Sequence, residues 1–279
     1  MSEQPAVTLP SNEALLALAE RAARAAGDLV RDGRRDDLAV SATKSSPTDV
    51  VTEMDTAAES LLARTLLTER PDDGLLGEEG GLRPGTSGLT WVVDPIDGTV
   101  NYLYRIPAYA VSVAVVTGEP DPQTWTVLAG CVHNPETGET WTATRGGGAR
   151  LDGRPVPGPA EVAMSQALVG TGFGYTVERR RRQAQVVATL LPSVRDIRRF
   201  GAASLDLCSV ASGRLDAYYE RGLKPWDLAA GGLVAEEAGA RVAGLGGLLA
   251  GESMVIAAAP LLSAELASLL TESGALEGG

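Results

Sequence analysis

The stretch WVVDPIDGTVNY, residues 91–102, ends an apolar run on Asp94 and presents Asp97 three residues later, just before Gly98 and Thr99. Two carboxylates held that close repel each other unless a proton or a cation lies between them, so the pattern suits a divalent metal with hard oxygen ligands. Pro95 fixes a turn between the two acids, and Gly98 lets a ligand approach the backbone closely. The amides of Gly98 and Thr99 would then open a helix or turn whose free N–H groups suit a phosphate. The competing reading is an Asp-rich turn that only caps a helix. Upstream, LLGEEGG sets Glu78 and Glu79 directly after a short apolar strand, where ligands gather in α/β folds. Gly80, Gly81, Gly85 and Gly88 suggest a mobile loop beside that pair. Downstream, KPWDLAAG puts Asp227 just before an apolar helix, a position where aspartate commonly serves as N-cap. Taken singly, the Glu-Glu pair reads as solvated surface and Asp227 as a cap. Together, Glu78, Asp94, Asp97 and Asp227 form an all-oxygen set that matches magnesium or manganese rather than zinc.

The rest of the composition narrows the chemistry. His133 is the only histidine, which disfavours serine triads, histidine phosphatases and imidazole-ligated zinc, and its setting in CVHNPETGE reads as a structural strand end. Cys131 and Cys208 are far apart and form no CxxC pair, so both are expected in the core. A net charge of -12 speaks against a role that rests on contacts to a nucleic-acid backbone. With 44% hydrophobic and 22% charged residues, the chain has the composition of a folded globular protein. The N-terminal stretch lacks a basic leader and an apolar span, so a cytoplasmic, unanchored protein is expected, with no membrane partner.

The elements that must position these acids follow from periodicity. Leu15, Leu18, Ala19, Ala22, Ala23 and Ala26 recur at helical spacing within 12–31, and the pattern returns at 55–67. Between them SATKSSPTDVVTEMD reads as a polar loop or loose hairpin. From Thr90 onward TWVVD, YAVSVAVV, TWTVLAGCV and TWTATR read as antiparallel strands bounded by Gly, Pro, Asn or Asp. Helices are expected at 178–191, 202–211, 226–237 and 260–270, with strands at 194–198, LDAYY and MVIAAA. The fold class is therefore a layered α/β (α+β) architecture. It comprises an N-terminal half with an antiparallel sheet, 1–155, and a C-terminal α/β half, 156–279, joined near Pro155 to Pro159 as one compact unit.

GEE, WVVDPIDGTVNY and WDLAAG, in this order, resemble the motifs of the inositol monophosphatase family, and the resemblance covers roughly Asn12 to Leu270. KSSPTDVVTEMD and GAASLDLCSVASGRLDAYYERG also look like the corresponding parts of that family, in particular its bacterial SuhB-like branch. The resemblance implies the family's sugar-phosphatase fold of alternating αβαβα layers. It implies that Glu78, Asp94 and the carbonyl of Ile96 hold one Mg²⁺, that Asp94, Asp97 and Asp227 hold a second with Asp94 bridging, and that a third, weaker ion lies beside Glu78; Mn²⁺ could substitute. Two such ions would polarise the phosphoryl oxygens, activate a water and stabilise the leaving alkoxide. Thr99 would bind that water and Asp55 or Glu78 would take its proton, a role favoured for Thr99 and Asp55 over the competing reading of both as helix caps. Lys44 matches a family lysine near the metals, and reads equally as a solvated surface lysine.

By the same resemblance the metal-side residues Glu78, Ile96, Asp97, Gly98, Thr99 and Asp227 also contact substrate. Gly201, Ala202 and Ala203 line the sugar, and Glu220 accepts hydrogen bonds from inositol hydroxyls. The implied activity is Mg²⁺-dependent hydrolysis of inositol monophosphate, a small-molecule phosphate monoester, by a lithium-sensitive homodimer. Histidinol phosphate, a sugar bisphosphate or a bisphosphate nucleotide are the alternative substrates, and a regulatory protein of the transcription machinery that keeps the phosphatase fold is the alternative of another class. The ERRRRQ run, 178–183, departs from the animal members and reads as the solvated start of a helix.

Overall fold

The computed structural model describes residues 10–34, 42–43, 50–275 of the chain; Lys44 lies outside the described residues. In chain order the elements are α1 (Asn12–Gly33), β1 (Ala42–Thr43), β2 (Val50–Val51), α2 (Glu53–Glu69), β3 (Gly74–Gly77), β4 (Gly81–Arg83), β5 (Leu89–Asp97), α3 (Thr99–Leu103), β6 (Ala110–Thr117), β7 (Thr126–His133), β8 (Thr140–Thr144), β9 (Gly148–Leu151) and β10 (Arg154–Pro155). They continue with β11 (Leu168–Thr171), α4 (Val177–Leu190), β12 (Asp196–Arg198), α5 (Ala203–Ala211), β13 (Ala217–Glu220), α6 (Pro225–Glu237), β14 (Arg241–Ala243), β15 (Val255–Ala258) and α7 (Pro260–Glu272).

Eight strands form one sheet in the order β10-β9-β8-β7-β6-β5-β3-β4, and five form a second in the order β12-β11-β13-β15-β14. The first sheet is antiparallel except where β3 runs parallel to β5. In the second, β11 pairs in parallel with both β12 and β13. Alternation along the strands divides the core by face. Trp91, Val93, Val111, Val113 and Val115 pack under α1 and α2, whereas Val92, Ala110, Ala114 and Val116 face α5 and α6. The opposite sides of α5 and α6 meet the second sheet through Leu207, Val210, Tyr218 and Val255. The outer face of that sheet is covered by α4 and α7 through Val186, Leu190, Leu262 and Leu266. The result is five layers, αβαβα. The apolar cluster uniting Val92 and Ala114 with Leu205 and Leu233 crosses the Pro155 to Pro159 segment.

Three local expectations are corrected. The glycines after Glu79 do not form a loose loop: Gly81–Arg83 pairs back on β3, the amides of Thr86 and Ser87 donate to the Asp72 carbonyl, and buried Asp73 accepts from Ser87 Oγ at 2.6 Å and Trp91 Nε1 at 3.0 Å. The strand around Trp91 does not end at Asp94 but runs to Asp97, and β3 beside it is parallel rather than antiparallel. Neither Asp55 nor Asp227 is an N-cap; each occupies the third helical position behind Thr52 and Lys224 and accepts that residue's amide, at 2.8 and 2.7 Å. Among the described residues no helix is long and apolar enough to cross a membrane.

Helix α6, which carries Asp227, lies directly on β7 at Gly130, where a Cβ would stand 3.0 Å from Ala230 Cα. Backbone cannot yield as a side chain can, so Gly130→Val should destabilise the protein by about 1–3 kcal/mol, read as a lower urea midpoint. An unchanged midpoint would show that α6 does not sit this tightly.

Candidate metal and phosphate site

The two acids of WVVDPIDGT stand on a bulge. Asp94 pairs with Ser112 and Asp97 with Ala110, so two residues of β5 are accommodated against one of β6. Pro95 fits because a bulge leaves a ladder position without a donor. The kink lets Asp94 and Asp97 turn to the same side, whereas a regular strand would send residues three apart to opposite faces. The Ile96 amide donates to Asp94 Oδ1 at 3.0 Å and fixes the first carboxylate. Asp97 is fixed by the N-terminus of α5, accepting from Ala203 N, Ser204 N and Ser204 Oγ at 3.2, 2.7 and 2.5 Å. Gly98 then turns the chain with φ 95°, a conformation that favours glycine, and α3 begins.

Asp227 arrives from the start of α6, and Asp94, Asp97 and Asp227 each offer an oxygen within 4.8 Å of the other two. Glu78, at the end of β3, is half-buried and raises the proton affinity of Asp94 by its charge and a hydrogen bond. The carboxyls of Asp94, Asp97 and Asp227 are held above their ordinary range, and burial is the first cause in each. At Asp94 the charges of Glu78, Asp97 and Asp227 add to it. At Asp227 the charges of Asp97 and Glu78 do so. At Asp97 the Ser204 and Ala203 hydrogen bonds and Arg199 oppose it. Closely packed acids of one sign, buried or half-buried and with oxygen donors alone, are the environment that a hard divalent cation relieves, so the residues present fit magnesium or manganese.

A single cleft of about 530 Å³ is lined by Glu78, Asp94, Ile96, Asp97, Gly98, Thr99, Gly201, Ala203, Glu220 and Asp227. Two of the residues singled out from the sequence stand behind it instead. Asp55 is fully buried and touches the cleft only through Thr99, whose hydroxyl lies 3.0 Å from Asp55 Oδ1 and 3.1 Å from the Ile96 carbonyl. Burial raises the Asp55 carboxyl, with hydrogen bonds from Thr52 and Thr99 opposing. Ala202 is 1% exposed and packs toward Gly98, where a Cβ would meet its own at 3.2 Å. Glu220 accepts from Tyr218 Oη at 2.5 Å, and burial lifts its carboxyl to about 7 against the opposing effects of that bond, Arg199 and Arg179. His133 lies elsewhere, buried against Thr140 at 2.8 Å, and both cysteines are buried free thiols.

Sequence reasoning missed the partners that hold the acids in place. Glu59, one turn after Asp55 on α2, accepts the amides of Glu79 and Gly80 at 2.8 and 2.6 Å and so anchors the turn that follows Glu78. Its spacing from Asp55, on the same helical face, was the available signal. Ser204 had none, because its partner is 107 residues away. Arg179 turns into the cleft rather than staying with the solvated helix start.

With this geometry the comparisons with known proteins agree. The profile of the inositol monophosphatase family matches residues 11–275, and the chain belongs to that family. The inositol-1-monophosphatase SuhB of Mycobacterium tuberculosis is 44% identical, covering 97% of this chain and 99% of that protein. The Nus factor SuhB of Escherichia coli is 38% identical over 81% of this chain and 83% of its own length. The crystal structure of the extragenic suppressor protein suhB from Bartonella henselae superposes with a TM-score of 0.84 at 34% identity, covering 93% of this chain and 99% of that one.

If Ser204 orients Asp97 as a ligand, Ser204→Ala should weaken Mg²⁺ binding about 10-fold, as loss of an outer partner does. Calorimetric titration reads this directly; wild-type affinity would show that Asp97 needs no such support.

Proposed function

We propose that the protein is a Mg²⁺-dependent phosphomonoester hydrolase that converts inositol monophosphate and water to myo-inositol and phosphate. The observation that carries this reading is the convergence of Asp94, Asp97 and Asp227 within 4.8 Å, with Glu78 beside them, in a cleft that also contains Thr99 and Glu220. Glu78, Asp94 and the Ile96 carbonyl would hold one ion, and Asp94, Asp97 and Asp227 the second. Bound Mg²⁺ would supply Lewis-acid polarisation of the phosphoryl oxygens and acidify the attacking water.

The chain's own residues do the rest. The Thr99 hydroxyl, donating to Asp55, keeps lone pairs with which to orient a water in line with the phosphorus. Glu78, or Asp55 through Thr99, takes that water's proton. The amides of Gly98 and Thr99 receive phosphoryl oxygens at the start of α3. Glu220 accepts hydrogen bonds from ring hydroxyls, while Gly201 and Ala203 form the backbone wall against which the ring lies and Ala202 backs that wall from behind. The two halves, 1–155 and 156–279, act as one compact unit, since ligands come from the first and from α6 of the second. The enzyme works in the cytoplasm as a lithium-sensitive homodimer.

A second reading is favoured by the name of the Escherichia coli relative, a Nus factor: a role beside the transcription machinery. Retention of the complete acid set supports the hydrolase as the primary function.

With purified protein, Asp94→Asn should lower phosphate release from inositol monophosphate at least about 100-fold, because both ions would share that residue. Wild-type rates in this variant would remove the bridging role, and no release by the wild type with Mg²⁺ would remove the activity.

A further inference from the structure

The second sheet has ligand-sized space on both of its faces. β11 and β13 run parallel, but the chain leaves β11 through α4 on the outer face and leaves β13 through α6 on the inner one. Diverging connections of this kind open a crevice beyond the carboxyl ends of the strands, where α/β folds place their ligands. The acid cleft opens on the inner side of that crevice. A separate cavity of about 230 Å³ opens on the outer side, between Thr171 and Tyr219 at the strand ends, Val186 on α4 and Ala275 just after α7. Its lining includes none of the acid cluster, neither Glu78 nor Asp94, Asp97 or Asp227.

Strand register explains the walls. Thr171 pairs with Tyr219, and alternation sends both to the outer face beneath α4, whereas Tyr218 between them in sequence packs toward α5. Val186, Tyr219, Met254 and Ala275 belong to the apolar cluster that α4 and α7 form on the sheet, so the floor of the cavity is hydrocarbon. One polar group is set into that floor. Tyr219 is 5% exposed, and its hydroxyl feels that of Thr171 without making a well-formed hydrogen bond. Leaving a buried hydroxyl in that state is costly, and an acceptor brought by a ligand would recover the cost. At the rim Arg179, Arg182 and Arg221 stand against Glu178 and Glu220, a surplus of one positive charge. Hydrocarbon floor, buried donor and positive rim together suit a small monoanion with an apolar body. Since a cavity of about 150 Å³ holds benzene, this one has room for about ten heavy atoms.

We propose that the cavity between α4 and the carboxyl ends of β11 and β13 is a second ligand site, for a small monocarboxylate with a compact apolar body whose acid head accepts from the Tyr219 hydroxyl. Gly172, Phe173 and Arg179 line both this cavity and the acid cleft, so an occupant lies against the wall of the cleft without touching its acids. The site stands independently of the reaction proposed for the cleft.

The test titrates 4-fluorophenylacetate into the full chain and follows it by fluorine NMR. Wild type should bind the probe saturably at one site. Binding should be about 10-fold tighter than that of 2-(4-fluorophenyl)ethanol, which keeps the ring and loses the charge. Tyr219→Phe removes only the hydroxyl and should weaken the carboxylate about 10-fold, the worth of a hydrogen bond to a charged group. Val186→Phe brings a ring into the cavity from α4 and should abolish binding; its thermal midpoint shows whether it folds, and Tyr219→Phe decides the matter if it does not. Asp94→Asn alters the acid cleft alone and should leave the affinity for the probe as in wild type. Absence of saturable binding, wild-type affinity in Tyr219→Phe or in folded Val186→Phe, or loss of binding in Asp94→Asn would each overturn the site, the last by placing the probe in the acid cleft.

Discussion

Mutual repulsion among closely packed carboxylates, two buried and one half-buried, is the constraint on which this structure turns. Asp94, Asp97 and Asp227 offer oxygens within 4.8 Å of one another, and burial raises the proton affinity of all three before their charges on each other are added. Among the described residues no cationic side chain forms an ion pair with any of them, so the fold assembles an unfavourable arrangement that a divalent cation would relieve. Assembling it requires rigid scaffolding. The surrounding five layers provide that rigidity.

Each acid is delivered by a different device. A bulge in β5 brings Asp94 and Asp97 to one side, the end of β3 brings Glu78, and the capping box of α6 brings Asp227. The opening of α5 grips Asp97 through Ser204, and Glu59 on α2 grips the turn after Glu78. Because α5 and α6 lie between the two sheets, the apolar contacts that join the halves also fix the distances among the acids. Stability and site geometry are thus coupled through the same residues, of which the Gly130 and Ala230 contact is one example.

Much of this was legible in the sequence where the signal is local. Asp94 and Asp97 stand out because apolar strand, acid, proline, acid and glycine follow one another, and helical spacing marks α1 and α2 without ambiguity. The family resemblance then selects Glu78 and Asp227 from acids that, alone, would pass as surface or cap. What could not be read depends on pairings distant in the chain. The bulge exists only relative to β6, the parallel placement of β3 only relative to β5, and Ser204 matters only because it meets Asp97. Asp55 and Asp227 misled by one turn of logic: both open helices, but as third-position partners of Thr52 and Lys224. Ala202 faces inward although its neighbours line the cleft, and Arg179 leaves the solvated face of its helix; neither direction is encoded by residue type.

The central claim is that these acids exist to grip metal. Crystals grown with Mn²⁺ and measured at its absorption edge test it most directly, because anomalous peaks locate the ion without reference to activity. The account predicts a peak at coordination distance, about 2.0–2.6 Å, from oxygens of Asp94, Asp97 and Asp227, with a second shared by Asp94 and Glu78. Saturating Mn²⁺ with no peak in the cleft, or with peaks only on other surfaces, would contradict it.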